Sequence, residues 1–295
     1  MNLQQNLNEY WRNLEKKSKP PSHVSKLNIV DFKNIKKAVD NKNIFYIKNL
    51  MRKMYNGEAF ILRNAAKKNL KNIIIKLAKH YDKKHKPSFY KMYDGAPNFH
   101  RIINKNITKK YSLYAIKHSY FFYNWNIKTK LEKEFKNGVY HHWRYVKLLA
   151  GNSKYQYENN IPSQNQIDRL QIVNYPHGGG ELRDHVDPRK NQRIVSGLIM
   201  SKKGIDFKKG GFYFKDSKKK KMNIEDKLEI GDSVIFYGSI VHGVDVVDRN
   251  KKLNWKSYKG RWFIGMFVND SDHVENRITA SDLTGSVNLN KSKAN

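Results

Sequence analysis

The chain has no cysteine, few acidic residues and no long apolar run, and each shortage excludes something. Without cysteine there are no disulfides and no thiolate metal sites, which agrees with a reducing compartment. The longest apolar stretches, such as Asn72-Ile73-Ile74-Ile75 with Leu77 and Ala78, are interrupted by lysine. They fall far short of the roughly 20 residues that a spanning helix needs. The opening stretch, MNLQQNLNEYWRNLEKK, holds no apolar signal core and carries acidic residues. A cytoplasmic protein is therefore expected.

The shortage of acid leaves 26 acidic residues against 58 basic ones, a formal charge of +32. Such a field suits nucleic acid, anionic lipid or an acidic small substrate. Lysine, asparagine and isoleucine are frequent together, however, and the excess is spread through nearly every segment. A coding bias toward A and T enriches those three residues at once and accounts for much of the charge. The run Lys218-Lys219-Lys220-Lys221 follows a strand-like Gly211 to Lys215 and is expected on an exposed hairpin turn.

A length of 295 residues suffices for one sizeable core or two small ones. Before the core, the pattern predicts a helix over Asp31 to Val39 capped by Asp31, a strand at Asn43 to Ile47, and helices over Leu50 to Tyr55, Asn64 to Tyr81 and Thr129 to Ala150. The aromatic stretch from Tyr111 to Trp125 reads as core packing or as a wall of the substrate pocket. The expected organisation is a mostly helical portion over 1–164, a core over 165–270 and a frayed tail over 271–295, together one integrated domain.

The chemistry-bearing residues lie in two segments. LQIVNYPHGGGELRDHVDPRKNQRIVSGLI carries His185 and Asp187, and GDSVIFYGSIVHGVDVV carries His242, 57 positions after His185. Residues i and i+2 of a strand point to one side, so His185 and Asp187 can share an inner wall while Val186 faces away. Two imidazoles and one carboxylate on one face of an octahedral ion leave three positions open, the arrangement of non-haem iron oxygenases. Gly178, Gly179 and Gly180 lack the GxxxxGK[ST] pattern of a phosphate loop and read as a turn into the metal strand. A further strand, from Arg261 to Val268, opens on a cation.

With its triad and its strand-opening arginine in that order, the region from Arg169 to Val268 resembles the iron(II)- and 2-oxoglutarate-dependent dioxygenases. The resemblance implies a double-stranded β-helix, or cupin-like jelly roll, in an α+β chain with a mainly β core. Its strands are expected at Arg169 to Tyr175, Arg183 to Asp187, Arg193 to Ser201, Gly211 to Lys215, Asp232 to Tyr237, Val241 to Val247 and Arg261 to Val268. It implies that His185, Asp187 and His242 hold Fe(2+), and that Arg261 grips the distal carboxylate of 2-oxoglutarate. A guanidinium offers a planar fork that fits a carboxylate bidentately and keeps its charge. Tyr175 and Asn174 stand where the family places cosubstrate contacts, and O2 is the second cosubstrate. Two departures stand out: 19 positions separate His242 from Arg261, and Phe263 replaces a common hydroxyl residue.

The implied reaction is hydroxylation of a substrate C–H bond with release of succinate, desaturation or cyclisation being its variants. A small anionic substrate is expected, held by Arg189 or Arg193 at the barrel mouth, with His118 and Trp125 as further contacts. The alternatives are a nucleic-acid-modifying oxygenase of the same chemistry, with aromatics stacking on a flipped base, and a non-catalytic basic jelly roll that binds nucleic acid.

Overall fold

The computed structural model describes residues 2–109 and 111–284. In chain order the elements are α1 (Leu3–Lys17), β1 (Lys26–Asp31), α2 (Phe32–Asp40), α3 (Ile44–Tyr55), β2 (Glu58–Arg63), α4 (Leu70–Lys84), β3 (Phe99–Ile103), the single turn α5 (Lys105–Thr108), β4 (Ala115–Tyr123) and α6 (Lys130–Leu149). The remainder is β: β5 (Gln166–Pro176), β6 (Glu181–Val186), β7 (Ile194–Ile199), β8 (Gly211–Lys215), β9 (Lys221–Asn223), β10 (Ser233–Tyr237), β11 (His242–Asp245), β12 (Gly260–Asp270) and β13 (Ser281–Asp282).

The strands run in the order β1-β2-β10-β7-β12-β5-β4-β6-β11-β8-β9, with β3 also on β4 and β13 on β6. β4 is the corner piece: Ala115 and Ile116 pair with β6, while His118 to Tyr123 pair with β5. A larger sheet thus turns into a smaller one built from β6, β11, β8, β9 and β13, giving the α+β double-stranded β-helix. All pairings are antiparallel except β1 with β2.

Helices cover the outer face of the larger sheet. α6 starts with a capping box between Thr129 and Glu132 and buries Phe135, Val139, Trp143 and Val146, positions at helical spacing. A fully buried ion pair, Lys147 Nζ to Asp168 Oδ2 at 2.7 Å, fixes α6 to β5. Trp11 of α1 donates to the Leu149 carbonyl at 2.7 Å, closing that layer.

Four expectations need correction. Asn43 to Ile47 is the capped start of α3, because Ile47, Leu50, Met51 and Met54 form a helical stripe that outweighs the strand propensity of Ile44 and Tyr46. The helix expected from Asn64 begins only at Leu70, since Asn64 takes a left-handed conformation with φ 58°. Position 164 is no structural boundary: β1 to β4 precede it and lie in the core sheet. Part of the expected tail is likewise ordered, with Ser281 and Asp282 pairing to Val186 and His185 of β6. Residues 285–295 of that expectation lie outside the described residues. The lysine run does sit on the β8–β9 hairpin turn.

Candidate metal centre

β6 and β11 are neighbours with His185 opposite His242 in register. Asp187 lies just past the end of β6, where its N–H donates to the Gly238 carbonyl at 3.0 Å. The ligating atoms of the three residues fall within 4.8 Å of one another. His242 Nε2 is 3.4 Å from Asp187 Oδ2. Each imidazole is tied at Nδ1 to a backbone carbonyl two residues earlier, His185 to Arg183 and His242 to Ile240, both at 2.9 Å. Those bonds place the proton on Nδ1 and leave Nε2 as a lone-pair donor. The rings are 4.1 Å apart and tilted by 49°, so they converge.

The electrostatics match the donor set. Burial, with His242 beside it, pushes His185 down to about 4, so its imidazole is neutral and needs no proton loss to bind a metal. Burial works against the Asp187 charge, but the adjoining His242 and His185 rings and the Lys117 cation outweigh it and hold the carboxyl below its usual range. Two imidazoles and an anionic carboxylate fit a divalent iron.

Arg261 opens β12 with Tyr175 of β5 opposite it, so both face the interior. Gly260 before it has φ 128° and lies so close to the Tyr175 carbonyl that any side chain would collide. The Arg261 guanidinium lies 5.8 Å from the Phe212 ring, and that ring lies 5.7 Å from His242, which sets the arginine one side chain away from the triad. Tyr175 is fully buried with its hydroxyl unpartnered, and burial raises its pKa. One partner of Arg261 was not visible in sequence. Glu225, in a 3-10 turn after β9, accepts from Arg261 Nε at 2.8 Å and from the Phe212 N–H at 2.6 Å. The bond uses the Nε edge of the guanidinium, and among the described residues neither Nη makes a hydrogen bond.

The remaining sequence-predicted residues lie elsewhere. Asn174 alternates with Tyr175 and points to the opposite, outer face beside His118 and Trp262, with both amide atoms buried and unpartnered. His118 is hydrogen-bonded to His100 there, under the helices. Trp125 stacks on Tyr123 at 4.6 Å and donates to the Ala96 carbonyl, so it is a packing residue in a satellite cluster. Arg193 is held by Glu15 of α1 at 2.8 Å and by the Ala150 carbonyl at 3.1 Å. Arg189 is exposed and lies 5.9 Å from the Tyr237 ring on that same side. Both arginines therefore serve the α1 side and not the barrel interior.

A second group of the same composition, half-buried Asp82 with buried His100 and His118, lies on the outer face. His100 Nε2 meets His118 Nδ1 at 3.0 Å, and the rings are nearly coplanar, 10° apart with centroids 5.2 Å apart. The two nitrogens point straight at each other. An ion between them would sit about 1.5 Å from each, well inside the roughly 2.0–2.1 Å of a metal–imidazole bond. The group is a hydrogen-bond chain, extended by Tyr120 and Tyr258, which both donate to Asp82.

No protein-family model matches the sequence, and no curated protein matches it. Solved structures do. A Neurospora crassa thymine hydroxylase in complex with alpha-KG and thymine has a TM-score of 0.50 at 12% identity, over 84% of this chain and 87% of that one. A putative 2OG-Fe(II) oxygenase family protein from Caulobacter crescentus scores 0.47 at 12% identity, over 84% and 87%. A Pseudomonas putida prolyl-4-hydroxylase scores 0.45 at 10% identity, over 71% and 91%. With the sheet order and the inward triad, the first likeness establishes that this chain has the fold of the iron(II)- and 2-oxoglutarate-dependent oxygenases.

Proposed function

We propose that the protein is an iron(II)- and 2-oxoglutarate-dependent dioxygenase that hydroxylates a C–H bond of a small anionic molecule. The observation that carries this reading is the convergence of His185, Asp187 and His242 inside the barrel, one aromatic ring away from Arg261. These three residues would hold the iron, and Arg261 Nη1 and Nη2 would take the distal carboxylate of 2-oxoglutarate, with Tyr175 beside them. The balanced reaction is R–H + 2-oxoglutarate + O2 → R–OH + succinate + CO2. Bound iron supplies the activation of dioxygen that makes such a C–H bond reactive. The chain's own residues orient and exclude: Nδ1 bonds to Arg183 and Ile240 aim the imidazoles, and Glu225 fixes the plane of Arg261. The complete site argues for an enzyme over a non-catalytic binding module.

The charge of +32 keeps a nucleic-acid substrate as a second reading. A small molecule is favoured because His185 and His242 are buried and the basic residues are dispersed through the sequence. Turnover of 2-oxoglutarate to succinate, measured with and without iron across a metabolite library and an oligonucleotide panel, tests both. Iron-dependent succinate formation stimulated by a small anion supports the proposal, stimulation only by oligonucleotides transfers it to nucleic acid, and no turnover under any condition sinks it.

A further inference from the structure

Three cations face the barrel interior without an ion-pair partner among the described residues, and no role is yet attached to them. Arg101 on β3 stands opposite Ser119, in the inward rank of β4 that also holds Lys117, Phe121 and Tyr123. Arg169 on β5 stands opposite Tyr123 and, on its other side, opposite Phe267 of β12. Arg101 and Arg169 share one ring: their guanidinium carbons lie 5.4 and 5.1 Å from the centre of Phe121. Arg101 is further held by Phe89 at 4.1 Å and Tyr111 at 4.9 Å. Lys117 is close enough to Asp187 to feel its charge, and both Arg101 and Arg169 act on Lys117.

Among the described residues none of the three forms a salt bridge. Arg101 Nε and Arg169 Nε are buried without any hydrogen-bond partner. The one hydrogen bond from Arg169 is a long 3.4 Å contact to Gln171. Burying charge without a partner is costly, and here buried Arg101 and half-buried Lys117 and Arg169 are gathered on one wall. The strain registers on the groups themselves: burial, then the neighbouring arginine, brings Lys117 down to about 8, and burial brings Arg169 down to about 10. Elsewhere the chain pairs its buried cations, as Lys147 with Asp168 and Arg261 with Glu225. An anion against this wall would supply the partner that the fold does not.

We propose that Arg101, Lys117 and Arg169 form the anion-binding end of the substrate pocket, and that the substrate is a small molecule with a dianionic head group, a phosphate monoester or a dicarboxylate. The assignment rests on the oxygenase reading for the word substrate, but the anion site itself does not. Two guanidiniums supply planar forks and one ammonium a point charge, matching the several oxygens of a dianion. A nucleic-acid backbone is disfavoured because such phosphates are met by accessible side chains, whereas Arg101 is only 8% exposed.

The test is calorimetric titration of the full chain, with and without Mn(II) plus 2-oxoglutarate, using phenyl phosphate, phthalate, neutral benzamide and a twelve-nucleotide oligothymidylate as probes. The expected result is saturable binding of phenyl phosphate or phthalate in both states, none of benzamide, and a loss of tenfold or more in Arg169→Gln, Arg101→Gln and Lys117→Met. Whichever dianion binds more tightly identifies the head group. Arg169→Lys should restore part of the affinity, and unchanged Mn(II) binding shows that a variant is folded. Absence of binding by either dianion, equal affinity in the Gln variants, or binding of the oligonucleotide alone overturns the proposal. A Lys117→Met protein that loses 2-oxoglutarate and keeps the dianion moves Lys117 to the cosubstrate end, which overturns its place here. Failure of the wild type to bind Mn(II) sinks the oxygenase reading while leaving the metal-free titration to judge the anion site.

Discussion

The barrel interior and the outer face of the larger sheet each bring together two buried histidines and one half-buried aspartate, and the two groups differ in how their ring nitrogens are engaged. Inside, backbone carbonyls occupy both Nδ1 atoms, so the two Nε2 lone pairs are left to converge near Asp187. Outside, His100 Nε2 and His118 Nδ1 meet each other, His100 Nδ1 lies 3.0 Å from Asp82, and His118 Nε2 is buried without a hydrogen-bond partner. The same residue types form a candidate ligand set in one place and a hydrogen-bond chain in the other. What decides is the direction of lone pairs, which the second partner of each ring fixes.

The largest expected effect separates the two groups directly. Alanine at His185, Asp187 or His242 should weaken ferrous-iron binding by at least about a hundredfold, since even the loss of an outer partner of a ligand costs about 10–100-fold. His100→Ala and His118→Ala should leave one iron per chain at wild-type affinity in equilibrium dialysis. A second metal equivalent that disappears with His118→Ala would break the distinction.

Next in size is the cosubstrate end. Arg261→Ala should raise the dissociation constant for 2-oxoglutarate by roughly one and a half to three and a half decades, about 2–5 kcal/mol, with iron binding unchanged. It also leaves Glu225 buried and unpaired, so the variant should be destabilised by about 3–5 kcal/mol against urea. Arg261→Ala combined with Glu225→Ala should recover much of that stability and none of the 2-oxoglutarate affinity. Equal 2-oxoglutarate affinity in wild type and Arg261→Ala would place the clamp on another cation.

The inner triad was legible in sequence because it is compact: the i, i+2 spacing of His185 and Asp187 and the Gly231-Asp232 turn before β10 are short-range signals. β12 announced itself by opening on Arg261. The outer strands were not legible for equally local reasons. β2, EAFILR, is buried on both faces and so has no alternation, and a short apolar run of that kind reads as well for helix as for strand. Arg189 and Arg193 sit in a polar loop that gives no hint of Glu15, 178 positions before Arg193. Arg101, Lys117 and Arg169 went unnoticed because a single cation between aromatics looks solvent-facing. The available signal was their shared rank with Ser119 and Phe121, which exists only once the register of β3, β4 and β5 is known.

Acid should unsettle the outer group. Burial brings His100 and His118 down to about 4, and His142, against Ser196, to about 3. These bases are neutral when folded and take a proton near pH 6.5 when unfolded. Their stabilisation is therefore complete above about pH 6.5 and is lost progressively as the pH falls toward 4, by at most about 3 kcal/mol for each. Thermal unfolding of His142→Gln should show a shallower decline over that window than the wild type. Parallel curves would mean that His142 is already protonated in the fold.

The smallest effect concerns how the outer chain touches the interior. Tyr258 donates to Asp82 at 2.7 Å and accepts at its carbonyl from Trp262 Nε1 at 2.9 Å, three positions before Arg261. Asp82 keeps Tyr120 as a donor at 3.0 Å, so Tyr258→Phe removes one bond and leaves the carboxylate satisfied. The cost to stability should be about 1 kcal/mol in urea unfolding. Because the Trp262 bond uses the Tyr258 backbone, Arg261 should stay in place and 2-oxoglutarate affinity should change less than about twofold. A tenfold loss of 2-oxoglutarate affinity in Tyr258→Phe would show that the outer hydrogen-bond chain positions the cosubstrate clamp, and the two groups would then have to be treated as one device.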